Sequence, residues 1–264
     1  MHHHLDAYAY TNRLGQLPPI QKLSFVLVVL LMALMAHPPT QGAILLWMAL
    51  WTIGYAGIPV RVYCHVFGMA AFFLGLSIPA LVLEMVSVQD FATVQGNSLG
   101  GVVLAHWYVF VSHSGLIQAG EISLRSLASV ACLLLILFTV PFSELLTVLR
   151  HCRVPTVLLD LLLLMYRFLF LFLDVATQLQ LAQQARGGYR TRKRWMESVA
   201  LLAGQLLVRS LQRYQQFSLG LAARGFNGDL QVYSTQSYTY STRYALESVL
   251  GCVGLVILDR RFFP

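Results

Sequence analysis

Long apolar runs with few or no charged residues follow one another along most of the chain. They cover 23–36, 42–58, 62–83, 114–140 and 244–258. A helix needs about 20 apolar residues to cross a hydrocarbon core about 30 Å thick, so these runs predict membrane-spanning helices. The first run is short, and we expect its helix to begin about one turn earlier, with the ammonium group of Lys22 reaching the membrane interface.

The segment between the third and fourth runs has no single pattern. Residues 84–97 contain charged, Gly and Asn positions typical of a loop. Residues 102–111 are apolar with aromatic side chains, which predicts an interfacial or re-entrant piece. Within the fourth run, Glu121 precedes Arg125 by four positions, so the two side chains can pair on one helix face.

Residues 141–226 have a helical pattern of a different kind. The pattern predicts one helix at 155–186 and a second from about 195 to 224, both rich in Gln towards their ends. Three charged side chains fall seven positions apart on the first helix: Asp160, Arg167 and Asp174. They share a face that either pairs with a neighbouring helix or faces solvent.

Both predicted helices end in the same three residues, Ala185-Arg186-Gly187 and Ala223-Arg224-Gly225. Gly just after a helix accepts the left-handed conformation that ends it, and Arg in the last turn complements the helix dipole. Two copies of this tripeptide indicate more than a helix cap. Small neighbours let the planar guanidinium enter a groove and pair with a carboxylate or carbonyl. Two similar ends fit two similar grooves on a dimeric partner.

Composition places most of these helices in a membrane. Of the 264 residues, 57% are hydrophobic and only 11% are charged, whereas a soluble domain carries about 25% charged residues. Ordinary soluble enzymes, disordered chains and disulfide scaffolds are thereby excluded, and we expect a multi-pass protein of the cell inner membrane. The four cysteines are expected to be reduced. Because Pro38-Pro39 follows the first apolar run, we expect that run to be a span rather than a cleaved signal peptide.

The net charge of +7 is concentrated in one block. Residues 185–224 contain eight basic residues and one acid, Glu197, whereas 62–124 contain no Lys or Arg. The excess of basic residues on cytoplasmic segments places the block inside and the loops of 62–124 outside. Counting spans from an inner amino terminus puts the carboxyl terminus outside, whereas Asp259-Arg260-Arg261 favours the inside, so both orientations remain open. Interleaved Leu and Val indicate a docking helix rather than a nucleic-acid-binding tail.

The paired Ala-Arg-Gly helix ends, in a cytoplasmic region near the carboxyl terminus, resemble the transmembrane T component of energy-coupling factor (ECF) transporters. The similar segments are VSHSGL at 111–116, PFSELLTVLRHCRVP at 141–155, YRFLFLFLDVATQLQLAQQARGG at 166–188 and SLQRYQQFSLGLAARGFNG at 210–228. The amino-terminal LDAYAYTNRLGQLPPIQKL at 5–23 resembles the cobalt-type, CbiQ-like branch. The resemblance covers nearly the whole chain.

This resemblance implies an all-α fold: a polytopic helical membrane protein with a cytoplasmic coupling module of long amphipathic helices. The implied regions are a transmembrane part at 1–140, the coupling module at 141–226, and a linker with the last transmembrane helix at 227–264. The implied partners are two ABC-type ATPase subunits, whose grooves receive the two arginine motifs, and a CbiM-like substrate-binding membrane subunit. The groove-binding residues are then Ala185, Arg186, Gly187, Ala223, Arg224 and Gly225.

The implied function is energy coupling for the uptake of a transition-metal ion, with cobalt favoured and with nickel or a vitamin as alternatives. No cofactor is expected on this chain, and ATP with magnesium would be bound by the ATPases. The sequence contains no GxxxxGK[ST] phosphate-binding loop and no set of residues at metal-ligand spacing. A more remote alternative is a membrane-embedded enzyme using His106, His113 and Glu121. That alternative predicts turnover by the purified chain alone.

Overall fold

The computed structural model describes residues 8–87, 98–104, 107–225, 238 and 240–262, with the backbone alone given for 84–87, 98–104, 107–111 and 262. The chain divides into two compact units. The first consists of Met1–Phe142 with Gln236–Pro264, and the second consists of Ser143–Thr235. Each unit is described separately below.

Eight α-helices of ten or more residues are present in the described residues. In the first unit they are α1 (Pro19–Met35), α2 (Pro38–Leu50), α3 (Val60–Val82), α4 (His113–Thr139) and α8 (Thr242–Phe262). In the second unit they are α5 (Phe142–His151), α6 (Thr156–Ala185) and α7 (Arg192–Ala223). The helix α5 begins at the last residue of the first unit. A π-helical turn, Trp51–Tyr55, extends α2. The helices of the first unit coincide with the five predicted runs, which confirms the predicted helical membrane fold.

Three helices are long and apolar enough to cross a membrane by length and composition: α3, α4 and α6. The helix α1 is also apolar but shorter. These helices agree with the predicted multi-pass membrane protein. The helix α6 meets this criterion because its amino-terminal half consists largely of Leu and Phe. The sequence nevertheless predicts that α6 belongs to a cytoplasmic module.

The core of the first unit lies where α1, α2 and α4 meet. Ala33, Ala128 and Ala131 are fully buried there, together with Ile44 and Met48. Small side chains at helix contacts let the backbones approach closely, which is how membrane helices gain van der Waals packing without a hydrophobic driving force. The helix α4 is therefore the central element of this unit.

The terminal helix α8 packs on α2 through an aromatic cluster. Trp51 stacks on Tyr55 with ring centroids 4.8 Å apart, and both rings meet Tyr244 of α8 edge-on. Gly251 of α8 lies directly against Trp47, and a β-carbon at this position would overlap the indole ring. Gly251 is thus what lets α8 approach α2 at this depth.

Polar contacts define the two ends of the first unit. At one end the Lys22 ammonium donates to the carbonyl of Thr139 at 3.0 Å, and the Gln21 amide lies 3.5 Å from the carbonyl of Ser241. Lys22 is only 7% exposed because its ammonium group is paired with the carbonyl at the end of α4, and the expectation that this group lies at the membrane interface stays a prediction.

At the opposite end, Asp259 of α8 binds the start of α2. One carboxylate oxygen accepts from the backbone N–H of His37 at 3.1 Å and from the Thr40 hydroxyl at 2.9 Å, and it lies 3.3 Å from His37 Nδ1. The carboxylate thus caps a helix amino terminus, where the helix dipole favours negative charge. The carboxyl-terminal end of α8 therefore lies beside the α1–α2 turn, at the opposite end from Lys22.

The two orientations left open by the charges can be compared with this arrangement. Four basic residues, Arg13, Lys22, Arg61 and Arg243, lie at or near the starts of α1, α3 and α8, which share one end of the unit. The excess of basic residues on cytoplasmic segments predicts that this end faces the cytoplasm and that the carboxyl-terminal end of α8 faces the outer side, whereas Arg260 and Arg261 favour the opposite orientation.

A three-stranded antiparallel sheet replaces the predicted interfacial or re-entrant piece. The strands are β1 (Leu83–Ser87), β2 (Ser98–Leu104) and β3 (Trp107–Ser112), in the order β1-β3-β2. In the register, Val109 of the central strand β3 pairs with Met85 of β1 on one side and with Val102 of β2 on the other. Residues 102–111 were predicted as one apolar piece, but they contain two strands whose backbone groups pair with each other. The loop was predicted at 84–97, but residues 84–87 belong to β1, and 88–97 lie outside the described residues.

Candidate docking site: two arginine-capped helix ends

The first arginine end, Ala185 to Gly188, closes α6 with a complete Schellman motif. Arg186 is the C-cap residue, with φ −88° and ψ 6°, and Gly187 follows in the left-handed region at φ +70°. The Gly187 N–H donates to the Gln184 carbonyl at 2.9 Å, and the Gly188 N–H donates to the Gln183 carbonyl at 2.9 Å. Glycine suits this turn because a β-carbon would be strained at positive φ.

The second arginine end, Ala223 to Gly225, ends α7 with the same cap and glycine conformation, and the residue after Gly225 lies outside the described residues. Arg224 is the C-cap residue with φ −96° and ψ 8°, and Gly225 has φ +69°. The Gly225 N–H donates to the Ala222 carbonyl at 3.2 Å. The paired angles at the two ends differ by 8° or less, so the two tripeptides present their arginines on nearly identical backbones.

Both guanidinium groups are available to a partner. Arg186 and Arg224 are exposed, as are Ala185 and Ala223 beside them. Within the part of the chain that the structure describes, neither guanidinium forms a hydrogen bond or an ion pair. An exposed, always-charged planar fork with small neighbours can form paired hydrogen bonds with a carboxylate or with carbonyl oxygens.

The two ends are far apart because α7 separates them. The first arginine end continues through a short turn into the start of α7, and the second closes the other end of that helix. At 1.5 Å per residue, α7 is about 48 Å long. One compact groove cannot hold both arginines, so the arrangement fits two separate grooves.

A polar network that the sequence did not reveal braces the first arginine end. The Ser198 hydroxyl donates to the Gly188 carbonyl at 2.9 Å, and the Gln183 amide donates to the Ser198 carbonyl at 3.0 Å. The Tyr189 hydroxyl donates to Gln183 Oε1 at 2.7 Å. Ser198 is 6% exposed, although most of its helix is exposed. Ser and Gln are common on amphipathic helices, so no sequence signal singles these two out.

Positive charge surrounds the first end and not the second. Exposed cations follow it at Arg190, Arg192, Lys193 and Arg194, the last three in the first turn of α7. The helix dipole disfavours cations at this position. The Thr191 hydroxyl accepts from the Arg194 N–H and so caps the helix start. By contrast, the first charged residue after Arg224 in the sequence is Asp229.

The helices α6 and α7 pack against each other as an antiparallel pair. Near the turn Gln183 meets Ser198, and further along Phe168 meets Phe217 edge-on with ring centroids 5.7 Å apart. A cleft between them is lined by Arg167, Asp174 and Arg213, among others. The charged face predicted on α6 thus faces the neighbouring helix at Arg167 and Asp174.

The other candidate chemistry does not come together. Among the described residues, no group of three or more His, Cys, Asp or Glu side chains is arranged to hold a metal ion. His113 and Glu121 are both exposed on α4, eight residues or about 12 Å apart along its axis, and His106 lies outside the described residues. The predicted pairing of Glu121 with Arg125 is wrong, because the two exposed side chains form no ion pair.

Comparison with known proteins places the chain in a transport family. The family model described as "CbiQ: Cobalt transport protein" matches residues 11–234. The chain is 31% identical over 234 residues to the cobalt transport protein CbiQ of Rhodobacter capsulatus, covering 88% of each chain. It is 27% identical over 228 residues to the cobalt transport protein CbiQ of Salmonella typhimurium, covering 86% of this chain and 99% of that relative.

A further relative has a composite name. The putative fused cobalt transport protein CbiMQ of Methanocorpusculum labreanum is 33% identical over 104 residues, which are 39% of this chain and 17% of that relative. The relatives that cover most of this chain and carry a functional name are named as transport proteins rather than as enzymes. The extent of the family match and the identity to the Rhodobacter protein lead to one conclusion: the chain belongs to the CbiQ family of cobalt transport proteins.

Proposed function

We propose that the chain is the transmembrane coupling subunit of an ATP-driven ECF importer for cobalt. In this function Arg186 and Arg224 enter grooves on two ABC-type ATPase subunits. The movement of the ATPases on binding ATP is transmitted through α6 and α7 to a substrate-binding membrane subunit. The chain itself binds no cofactor, and ATP with magnesium is held by the ATPases.

The observation that carries the proposal is the duplication of one docking geometry. Two Ala-Arg-Gly ends have nearly the same backbone angles, expose their arginines and are separated by the length of α7. A pair of equivalent grooves on two copies, or two relatives, of one ATPase fits this duplication. A single-site enzyme has no use for it.

The charge of the turn supports a cytoplasmic position for both arginine ends. If α6 crossed the membrane, Arg186 and the four cations that follow it would lie on the outer side, against the excess of basic residues on cytoplasmic segments. The apolar side chains that α6 exposes are then covered by partner subunits or by the membrane interface. Leu161, Met165 and Leu169 are among them, each 45% exposed or more.

A CbiM-like partner is supported by the relative named as a fused CbiMQ protein. Fusion of two chains is favourable when their products work in one complex, because the linker keeps the partners at high effective concentration. The substrate-binding subunit of the proposed importer is therefore of the CbiM type, and cobalt is its cargo.

The test is a pull-down of the tagged chain co-expressed with its genomic neighbours. The variant Arg186→Glu/Arg224→Glu is expected to lose the ATPases, since a reversed charge repels the carboxylates that would bind arginine. Arg150→Glu/Arg209→Glu is the matched control, because it makes the same charge change at two exposed arginines that lie outside both arginine ends and outside the cleft that contains Asp174. The control is expected to retain the ATPases.

Three results would contradict the proposal. The intact chain recovers no ATPase; the double variant at the arginine ends recovers as much ATPase as the intact chain; or the purified chain shows catalytic turnover by itself. Uptake of radioactive cobalt by vesicles containing the full complex, with nickel as competitor, tests the cargo separately.

A further inference from the structure

We propose that Ser198 is a positioning residue that locks the first arginine end, so that Arg186 keeps its geometry while the ATPases pull on it. The inference rests on the proposed coupling function. It concerns three side chains outside the Ala-Arg-Gly motifs: Gln183, Tyr189 and Ser198.

The lock joins two helices across the turn that carries Arg186. Ser198 belongs to α7, but its hydroxyl binds the carbonyl of Gly188, two residues beyond Arg186. Its own carbonyl accepts from the Gln183 side chain, which lies one turn before the arginine. The turn is thus held to α7 from both sides of Arg186.

Close contact makes the lock specific. A β-carbon on Gly188 would lie 3.0 Å from the Gln183 carbonyl oxygen and closer still to the Ser198 hydroxyl, so glycine is needed for the turn to reach Ser198. Tyr189 completes the network by donating to the Gln183 side-chain oxygen, which fixes the orientation of that amide. Both polar atoms of the Gln183 side chain, Nε2 and Oε1, thus have a hydrogen-bond partner within 3.0 Å.

The physical need for such a lock follows from the position of the arginine. A C-cap residue follows the last helical residue, and helix ends open more easily than helix centres. A force applied to Arg186 would unwind the end of α6 unless the turn were fixed to a second element. With the lock, the same force moves α6 and α7 together.

The experiment uses the complete complex of this chain with its ATPases and substrate-binding subunit, reconstituted in vesicles. Ser198→Ala removes the hydroxyl, and Tyr189→Phe removes a second hydrogen bond of the network without touching Ser198. Ser210→Ala is the matched control, since the Ser210 hydroxyl binds only the Leu206 carbonyl of its own helix. Two quantities are measured: hydrogen exchange of the amides at 187–191, and ATP hydrolysed per cobalt ion transported.

Ser198→Ala and Tyr189→Phe are each expected to speed exchange at 187–191 about fivefold, the effect of one hydrogen bond. Both are expected to raise the ATP used per cobalt ion transported, and the control should change neither quantity. A simple loss of folded complex lowers hydrolysis and transport in proportion, so it leaves this ratio unchanged. Exchange and ratio equal to those of the unmodified complex in both variants would overturn the lock.

Arg186→Glu in the same vesicles separates the two proposals. If Arg186→Glu uncouples hydrolysis from transport but Ser198→Ala and Tyr189→Phe do not, the coupling function stands and the lock is wrong. If Arg186→Glu leaves ATPase retention and coupling intact, the coupling function itself is wrong.

Discussion

At the scale of single residues, two glycines carry the backbone conformation on which the proposed docking site depends. Gly187 and Gly225 both have φ near +70°, where other L-residues pay a steric cost. The arginine beside each glycine is therefore presented by a turn that only glycine adopts freely. The arginine therefore has to be considered together with the glycine that follows it, because that glycine sets the turn that presents the guanidinium group.

Gly225→Ala is expected to destabilise the end of α7 by about 1 kcal/mol through positive φ alone. Among the described residues, no atom lies within 4 Å of the β-carbon that alanine would add, so no clash with them contributes. The ATPases should bind correspondingly more weakly in the pull-down. Thermal unfolding of the purified chain, with retention of the ATPases, measures both effects.

Gly220→Ala is the matched control for this change. Gly220 lies inside α7 with equally open surroundings, and alanine in a helix interior is favoured over glycine by about 1 kcal/mol. The two substitutions are thus expected to have opposite signs. A stabilising effect of Gly225→Ala would contradict the role assigned to the left-handed turn.

At the scale of elements, the terminal helix α8 is held to α2 at three depths. Gly251 lies against Trp47 in the middle, Tyr244 joins the aromatic cluster near one end, and Asp259 caps α2 at the other. These contacts explain how a helix with only one buried side chain among its described residues, Leu255, has a defined position.

Asp259→Asn tests the polar end of this attachment. The His37 backbone N–H, together with the Thr40 hydroxyl, holds the pKa of Asp259 below its ordinary value, so its carboxylate stabilises the folded chain. That stabilisation is fully present above the unfolded-state pKa of about 3.9 and is lost as the pH falls through the lower folded-state pKa. The substitution keeps an acceptor oxygen but removes the negative charge at the helix amino terminus, so it is expected to cost about 0.5 kcal/mol at neutral pH.

Thermal unfolding in detergent at pH 7 and at pH 3 measures this effect, and the two proteins should converge at the lower pH. Glu121→Gln is the control, because the Glu121 carboxylate is exposed and has no partner in the described structure. An Asp259→Asn protein as stable as the unmodified chain at pH 7 would show that the cap is not needed.

At the scale of the whole molecule, the five helices of the first unit place the start of α1 and the end of α8 at opposite ends. The carboxyl terminus is consequently expected on the outer side, although two arginines precede it. Alkaline phosphatase fused after Pro264 should be active, since that enzyme works only outside the cytoplasm. The same enzyme inserted after Arg190 should be inactive. An inactive fusion after Pro264 with an active fusion after Arg190 would show the opposite orientation.

The sequence predicted the features that depend on local physics. Lipid contact requires continuous apolar runs, so the spans were visible, and Gly187 and Gly225 marked both arginine ends. Features that depend on distant contacts were not visible. No sequence pattern near Lys22 indicates that its ammonium group binds the Thr139 carbonyl. Likewise, no pattern within residues 83–112 indicates that three strands pair there. The Ser198 network joins residues 6 to 15 positions apart by hydrogen bonds alone, which leaves no periodic pattern.

The antiparallel pairing of α6 and α7 has a mechanical consequence. A braced turn at one end and an arginine at the other make α7 a lever about 48 Å long. If one end is held, a rotation of about 10° displaces the other by about 8 Å, which exceeds one helical turn. In the proposed coupling function, a small angular change at a groove would therefore become a displacement of several ångströms at the other end of α7.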